Sequence, residues 1–281
     1  MIINSKIKIT ETPRDGWQAL PNIIPAKTKA AHINKLLKAG FDTVEVGSFV
    51  SAKAIPQLAD TADLIKLLDL SHKKTKIMTL IGNEKGLDAA MQFEEIDRIS
   101  YPFSISPTFL KKNLNITAEE GYKMIDQIMD QCQKHKKEPV IYIAMGFGNP
   151  YGDLWSMELL IKAIEVIKNK GAKIISITDI TGVADAEKIA SVYSTIIPKF
   201  PEIEFGIHLH STRETVMVKI DAAYQNGVRR FDTVLNGMGG CPMTGMELLG
   251  NLDTLDLIKF MEKIRVEHGL KSSQLKLSNL F

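Results

Sequence analysis

Two histidines one residue apart, in Gly206-Ile207-His208-Leu209-His210, are the strongest chemical signal in the chain. In a β-strand alternate side chains share a face, so His208 and His210 project together and Ile207 and Leu209 project the other way. Their Cβ atoms then lie roughly 6–7 Å apart, close enough for both imidazoles to reach one cation. The same spacing also suits two partly buried histidines in a polar barrel interior. The metal reading gains from oxygen donors elsewhere, Asp15 in Arg14-Asp15-Gly16 and Asn251 in Gly250-Asn251. Two imidazoles, a carboxylate and an amide oxygen suit a hard or borderline divalent ion such as Mg²⁺ or Mn²⁺, with positions left over for a substrate. Zn²⁺ fits less well without a thiolate. Taken alone, Asp15 reads as a turn residue and Asn251 as a cap for the last helix.

Other polar residues fall at the same level of the pattern. Arg14 beside such a site is a fixed cation for developing negative charge, and Glu45 is its obvious partner. Asp179 either orients a histidine or a substrate group, or is a buried structural carboxylate. Gln18, Ser48 and Ser176 are candidate substrate contacts near strand ends. Cys241 follows two glycines and precedes a proline, so it sits in a loop. A loop thiol can give or take a proton, although most such cysteines are inert.

Positioning these residues needs strands in series, and the chain supplies them. Strand-like and helix-like patterns alternate from end to end. Strands are predicted at residues 7–12, 43–46, 76–80, 95–101, 140–145, 174–178, 204–210 and 230–235. Helices are predicted at 27–38, 57–69, 85–93, 118–135, 156–170, 185–197, 213–225 and 252–267. Eight strand–helix units in one chain of 281 residues point to an α/β fold, a (β/α)8 TIM barrel in a single domain, 1–281. The stretch after about residue 268 has no assigned element. A doubly wound sheet would carry a glycine-rich turn after the first strand, and Pro13-Arg14-Asp15-Gly16 is not one. In a barrel the active site is built at the C-terminal ends of the strands, where every candidate above falls.

Composition excludes several classes. Charged residues make up 24% of the chain and net charge is +2, with basic pairs scattered, so no nucleic-acid surface is indicated. No apolar run approaches the ~18 residues needed to span a bilayer. Two cysteines, Cys132 and Cys241, provide no disulfide framework and suit a reducing compartment. No leader pattern opens the chain. The expected location is cytoplasmic.

Several segments together resemble the 3-hydroxy-3-methylglutaryl-CoA lyase family, within the metal-dependent TIM-barrel lyases and acyl-CoA condensing enzymes. They are Pro13-Arg14-Asp15-Gly16-Trp17-Gln18, the run Glu45 to Lys53, Pro56-Gln57, Lys111-Lys112-Asn113, Asn149-Pro150-Tyr151-Gly152, His208-Leu209-His210, and Gly239-Gly240-Cys241-Pro242 through Leu252. The resemblance implies retro-aldol cleavage of an acyl-CoA, 3-hydroxy-3-methylglutaryl-CoA, to acetyl-CoA and acetoacetate, a reaction of leucine catabolism. It implies Asp15, His208, His210 and Asn251 as ligands of Mg²⁺ or Mn²⁺. It implies Arg14 as enolate stabiliser supported by Glu45, Asp179 and His208 in proton transfer, and Cys241 as the catalytic loop cysteine. It also implies a homodimer. The chain departs from the family where Gly-Asp-Thr-Ile-Gly is usual and Thr178-Asp179-Ile180-Thr181-Gly182 stands, and where Asp-Thr-Tyr-Gly is usual and Ser211-Thr212-Arg213-Glu214 stands. Competing readings are a condensing acyltransferase, an aldolase on a free hydroxy-keto acid, and a non-catalytic metal-binding barrel.

Overall fold

Parallel strands joined by helices must bury both faces, so their sequences run apolar outward and selectively polar inward. The computed structural model of the chain, which describes residues 6–18, 20–71, 73–239 and 249–275, has this pattern closed on itself. Strand β1 (Lys8–Glu11) leads through a short helix α1 (Pro13–Trp17) to α2 (Ala26–Ala39). Then follow β2 (Thr43–Phe49), α3 (Thr61–Lys66), β3 (Lys76–Ile81) and α4 (Glu84–Met91). Next come β4 (Arg98–Ser104), α5 (Pro107–Asn113), α6 (Ala118–Lys134) and β5 (Glu138–Ala144). The second half runs α7 (Met157–Asn169), β6 (Ile174–Asp179), α8 (Ala186–Lys199), β7 (Glu204–Leu209) and α9 (Val216–Gln225). It ends with β8 (Arg230–Thr233), α10 (Thr254–Lys263) and α11 (Ser272–Leu275). The eight strands pair in sequence order, and β8 pairs with β1 to close a parallel barrel. This is the TIM barrel expected from the alternation.

Several elements differ from the sequence pattern for identifiable reasons. The fourth strand is Arg98–Ser104, later than 95–101, because its register with β5 continues through Pro102 opposite Tyr142. A proline normally argues against a central strand, so the pattern ended there too soon. The helix expected over 57–69 is split into a 3-10 turn, Pro56–Leu58, and α3. The split is held from α2, since the Lys29 ammonium donates to the Gln57 carbonyl and lies 2.7 Å from Asp60. Pro198 lies inside the last turn of α8 and does not stop it, because a proline there removes only one of the closing hydrogen bonds. The stretch after 268, left without an element, forms α11 against α2, with the Lys271 amide donating to the Ala39 carbonyl at 2.8 Å.

The two ends of the barrel differ in chemistry. At the N-terminal end Arg98 binds Asp42 (2.6 Å) and Glu138 (2.8 Å), and Arg230 binds Glu204 (3.0 Å) and Asp42 (3.2 Å). These pairs saturate one another and plug that end, leaving the opposite mouth for a ligand. Among the described residues no helix is long and apolar enough to cross a membrane.

One buried acid outside the barrel lumen ties the closing seam. Glu11 accepts the Leu235 amide (2.7 Å) and the hydroxyls of Thr254 (2.6 Å) and Thr233 (3.2 Å). Burial pushes its carboxyl from 4.5 up to about 8, despite those hydrogen bonds. The native state therefore keeps a proton that the unfolded chain loses above about pH 4.5. Its contribution to stability is full below that pH and is lost as pH rises through about 8. Melting temperature measured across this window should fall with pH, and Glu11→Gln should flatten the fall. An unchanged slope in the variant would show that Glu11 is ionised in the native protein.

Candidate active site at the barrel mouth

Strand alternation settles which residues reach the lumen. On β7, Gly206, His208 and, one residue past the strand, His210 face inward, whereas Ile207 and Leu209 pack outward at 0% and 1% exposure. The Nε2 atoms of His208 and His210 stand 3.3 Å apart. Asp15, on the helical turn α1 that follows β1, brings its Oδ2 to 3.5 Å from His208 Nε2. Closure of β8 onto β1 makes this meeting possible, since Asp15 and the histidines are nearly two hundred residues apart in the chain. Asp15, His208 and His210 are all buried, and each offers one ligand atom within 4.8 Å of the others.

The surrounding hydrogen bonds suit a cation at that centre. His210 Nδ1 lies 2.8 Å from the Leu249 carbonyl, which can only accept, so Nδ1 carries the proton and Nε2 keeps its lone pair. Burial lowers the pKa of His210, and the nearby charge of His208 lowers it further. Burial would also lower His208, but Asp15 and Asp232 outweigh it and hold it up at about 10. The Asp232 carboxylate lies 3.5 Å from His208 Nδ1, on the far side of the ring from Asp15. Burial would raise Asp15, yet the Arg14 guanidinium, followed by His208, keeps it well below the usual carboxylate range.

Asn251 lies beside the cluster. The helix α10 is capped by Asp253, which accepts the Leu255 amide at 2.9 Å, so Asn251 does not serve as its cap. Asn251 instead bridges to His210 through the backbone. Its amide nitrogen donates to the Met238 carbonyl at 2.9 Å, while its Oδ1 is buried with no protein partner. A buried carbonyl oxygen without a partner is costly in water-free surroundings, and a divalent cation would satisfy it. The converging donors, two imidazole nitrogens and a carboxylate oxygen, therefore fit a divalent ion, with the Asn251 oxygen as a further candidate. Gly239 lets these segments approach, because at φ +93° a Cβ there would lie 2.7 Å from the Asp15 carbonyl and 3.0 Å from the Asn251 amide nitrogen.

Arg14 is clamped beside the cluster. Its Nε and Nη2 donate to Glu45 Oε2 at 2.8 and 2.5 Å, and its Nη1 reaches Asp15 Oδ1 at 3.1 Å. Burial raises the pKa of Glu45 against the pull of Arg14, and Glu45 also accepts the Ser100 hydroxyl at 2.7 Å. Gln18 joins the group, accepting from Arg14 Nη1 at 3.2 Å and donating to Asp15. These residues line a cavity of about 280 Å³ at the C-terminal ends of the strands, with an outer wall of residues such as Val50, Ile55, Phe109 and Leu114.

Other sequence candidates fall elsewhere. Asp179 is on the outward face of β6, where its two oxygens accept the Val183 and Ala184 amides (3.0 and 2.9 Å) and Lys219 lies 3.6 Å away. Ser176 and Ser48 are buried and do not line the cavity. Cys241 lies outside the described residues. Polar residues missed by inspecting strand ends alone include Tyr142, Thr178 and Asp232. Tyr142 lines the cavity with its ring edge-on to His208 at 6.1 Å. The alternation that sets His208 inward marks Thr178 and Asp232 as well, since they are in register with it on β6 and β8.

Fold and site together define a TIM-barrel enzyme with a histidine–aspartate cluster at its catalytic mouth. The chain belongs to the HMGL-like family, whose model matches residues 6–280. It is 30% identical over 271 residues to a hydroxymethylglutaryl-CoA lyase of Bacillus subtilis, covering 96% of this chain and 90% of that one. It is 28% identical over 272 residues to an (R)-citramalyl-CoA lyase of Chloroflexus aurantiacus, covering 94% and 85%. The structure of an HMG-CoA lyase from Acinetobacter baumannii, in complex with coenzyme A and 3-methylmalate, superimposes with a TM-score of 0.90 at 30% identity, covering 98% of this chain and 89% of that one. The chain is a carbon–carbon lyase of the hydroxymethylglutaryl-CoA lyase type.

The donor geometry predicts that His210→Ala weakens Mn²⁺ binding by more than about 100-fold, beyond the ~10–100-fold typical of losing an outer partner. Calorimetric titration with Mn²⁺ measures this. An unchanged affinity would place the ion away from the histidine pair.

Proposed function

We propose that the chain is a divalent-metal-dependent lyase that cleaves 3-hydroxy-3-methylglutaryl-CoA to acetyl-CoA and acetoacetate. The observation that supports this best is the convergence of Asp15, His208 and His210 on one point, beside a guanidinium already fixed by Glu45. In the reaction the tertiary hydroxyl loses its proton and becomes the ketone of acetoacetate. The adjacent carbon–carbon bond breaks, and its electron pair passes to the thioester as an enolate. That enolate then takes a proton to give acetyl-CoA. Mg²⁺ or Mn²⁺, held by Asp15, His208, His210 and the Asn251 amide oxygen, would supply the Lewis acid that makes the hydroxyl acidic.

The remaining work falls to the chain itself. Arg14 cannot swing away, because Glu45 and Asp15 hold two of its edges. A preorganised cation of this kind stabilises enolate charge without reorganising during the reaction. In this reading His208, between two carboxylates, takes part in moving the hydroxyl proton. Cys241 is the candidate donor to the enolate carbon. Asp179, facing outward with both oxygens engaged, acts as a positioning residue for the turn between β6 and α8. Gln18 steadies Arg14 and Asp15.

The same reading includes an acyl-CoA partner, in keeping with coenzyme A in the Acinetobacter structure, together with a homodimer and a cytoplasmic location. A second reading within the class is a related hydroxyacyl-CoA. It is favoured by Thr178 and Ile180, which line the cavity where the family usually has glycine and threonine.

Purified protein, stripped with chelator, should release acetyl-CoA and acetoacetate from 3-hydroxy-3-methylglutaryl-CoA only after Mg²⁺ or Mn²⁺ is restored. Full activity in the stripped protein would end the metal reading, and no product with either ion would end the substrate assignment. Arg14→Gln should lower kcat by about 10²–10³ while Mn²⁺ affinity stays within a few-fold, the loss typical of one charge-stabilising donor. Cys241→Ser should keep the ion and slow turnover. An unaltered rate would remove the thiol from the mechanism.

A further inference from the structure

Two segments singled out in the sequence, Lys111-Lys112-Asn113 and Asn149-Pro150-Tyr151-Gly152, take no part in the cluster. The fold sets them against each other at the outer wall of the cavity. Helix α5 ends on the first, and Phe109, Asn113 and the following Leu114 line the cavity. A helix of seven residues cannot hold its own shape or place. Its Leu110 enters the main core, whereas Phe109 belongs to a separate group with Ala144 and Met145, against which Tyr151 packs. A second anchor is Asp153, on the loop between β5 and α7. Its Oδ2 accepts the Ser106 hydroxyl (2.5 Å) and the Thr108 amide (3.0 Å), and its Oδ1 accepts the Thr108 hydroxyl (2.8 Å). The Ser106 oxygen in turn accepts the Phe109 amide at 3.1 Å. Pro107 has no amide to satisfy, so Asp153 and Ser106 together meet the Thr108 and Phe109 amides of the first turn. Asn149 stiffens the loop, accepting the Tyr151 and Asp153 amides (3.0 and 3.1 Å) and donating to the Asp153 carbonyl (2.9 Å). Near the other end of α5, the Lys112 ammonium lies 4.6 Å from the centre of the Tyr151 ring.

We infer that Asp153 is a positioning residue for substrate binding, which fixes α5 from the neighbouring loop and with it the wall that receives the acyl-CoA. This rests on the lyase reading above. With bond cleavage placed at Asp15, His208 and His210, the rest of the acyl-CoA leaves the barrel past the outer wall. That wall is largely apolar, with Val50, Ile55, Phe109 and Leu114. Apolar contact of this kind is lost when one surface shifts by a fraction of an ångström to an ångström. Without the Asp153 carboxylate, the Thr108 amide loses its acceptor and α5 can turn about Leu110. Asp153 does not line the cavity, so its loss reaches the substrate through α5. The cluster residues stand on other elements, α1 and the end of β7, and keep their places.

The test compares the parent protein with Asp153→Ala, Asp153→Asn and Thr108→Val, using 3-hydroxy-3-methylglutaryl-CoA with Mg²⁺ or Mn²⁺ and acetyl-CoA release as the readout. Asp153→Ala should raise KM about tenfold, equivalent to about 1.4 kcal/mol, with kcat within about threefold of the parent. Asp153→Asn keeps an accepting oxygen for the Thr108 amide and should bring KM back to within about threefold of the parent. Thr108→Val removes one of the hydrogen bonds and should raise KM by roughly two- to threefold, which tests the clamp even where the alanine protein fails to fold. Mn²⁺ affinity should be the same in every protein. A lowered melting temperature with KM unchanged, or a fall in kcat at constant KM, would make the clamp purely structural and overturn the assignment while leaving the lyase reading intact. Failure of the parent protein to release acetyl-CoA would overturn both.

Discussion

Everything at the barrel mouth depends on how one buried carboxylate, that of Asp15, is neutralised. A lone carboxylate in this position would be strongly destabilising or would take up a proton. Arg14 on one side and two imidazoles on the other keep it charged. Glu45 and Asp232 add further negative charge behind Arg14 and His208, respectively. The cluster therefore attracts positive charge at its centre. A proton on His208 meets that demand in the absence of an ion, and a divalent cation would meet it more fully.

The division of labour between the barrel's two ends follows from the same electrostatics. At the N-terminal end, arginines and carboxylates are matched against one another through Asp42, Glu138 and Glu204. At the C-terminal end the carboxylates outnumber the fixed cations that face them, and an oxygen donor and a hydroxyl are left without protein partners. Matched charges make a plug, and unmatched ones make a site. Apolar residues on the outward strand faces hold both ends at a fixed separation.

Much of this was legible in the chain, and the gaps have physical causes. The spacing of His208 and His210, with an acid after β1, identified the cluster because a strand's period of two is rigid. The same period, applied to Thr178-Asp179, also shows which of that pair faces the lumen. Inspecting the strand ends put Ser176 and Asp179 forward and passed over Thr178, which lies between them. Tyr142 was hidden in Val140-Ile141-Tyr142-Ile143, which reads as a strand buried on both faces. Pro102 concealed the true span of β4, since the pairing with β3 ends at Ser100 and β5 alone carries the register past the proline. The pairing of Asn251 with His210 was beyond local pattern, because it depends on how the segment after residue 249 returns to β7.

The meeting of Asp15, the β7 histidines and Asn251 spans almost the entire primary structure. During synthesis the first of them leaves the ribosome long before the last. A nascent chain lacking its final strand and the segment behind it has neither the neighbour that closes the barrel onto β1 nor the amide oxygen beside His210. Such an intermediate would expose an open parallel-sheet edge and an incomplete set of donors at the same time. Assembly of the cluster is thereby tied to completion of translation, because a truncated product lacks the strand that closes the barrel around it.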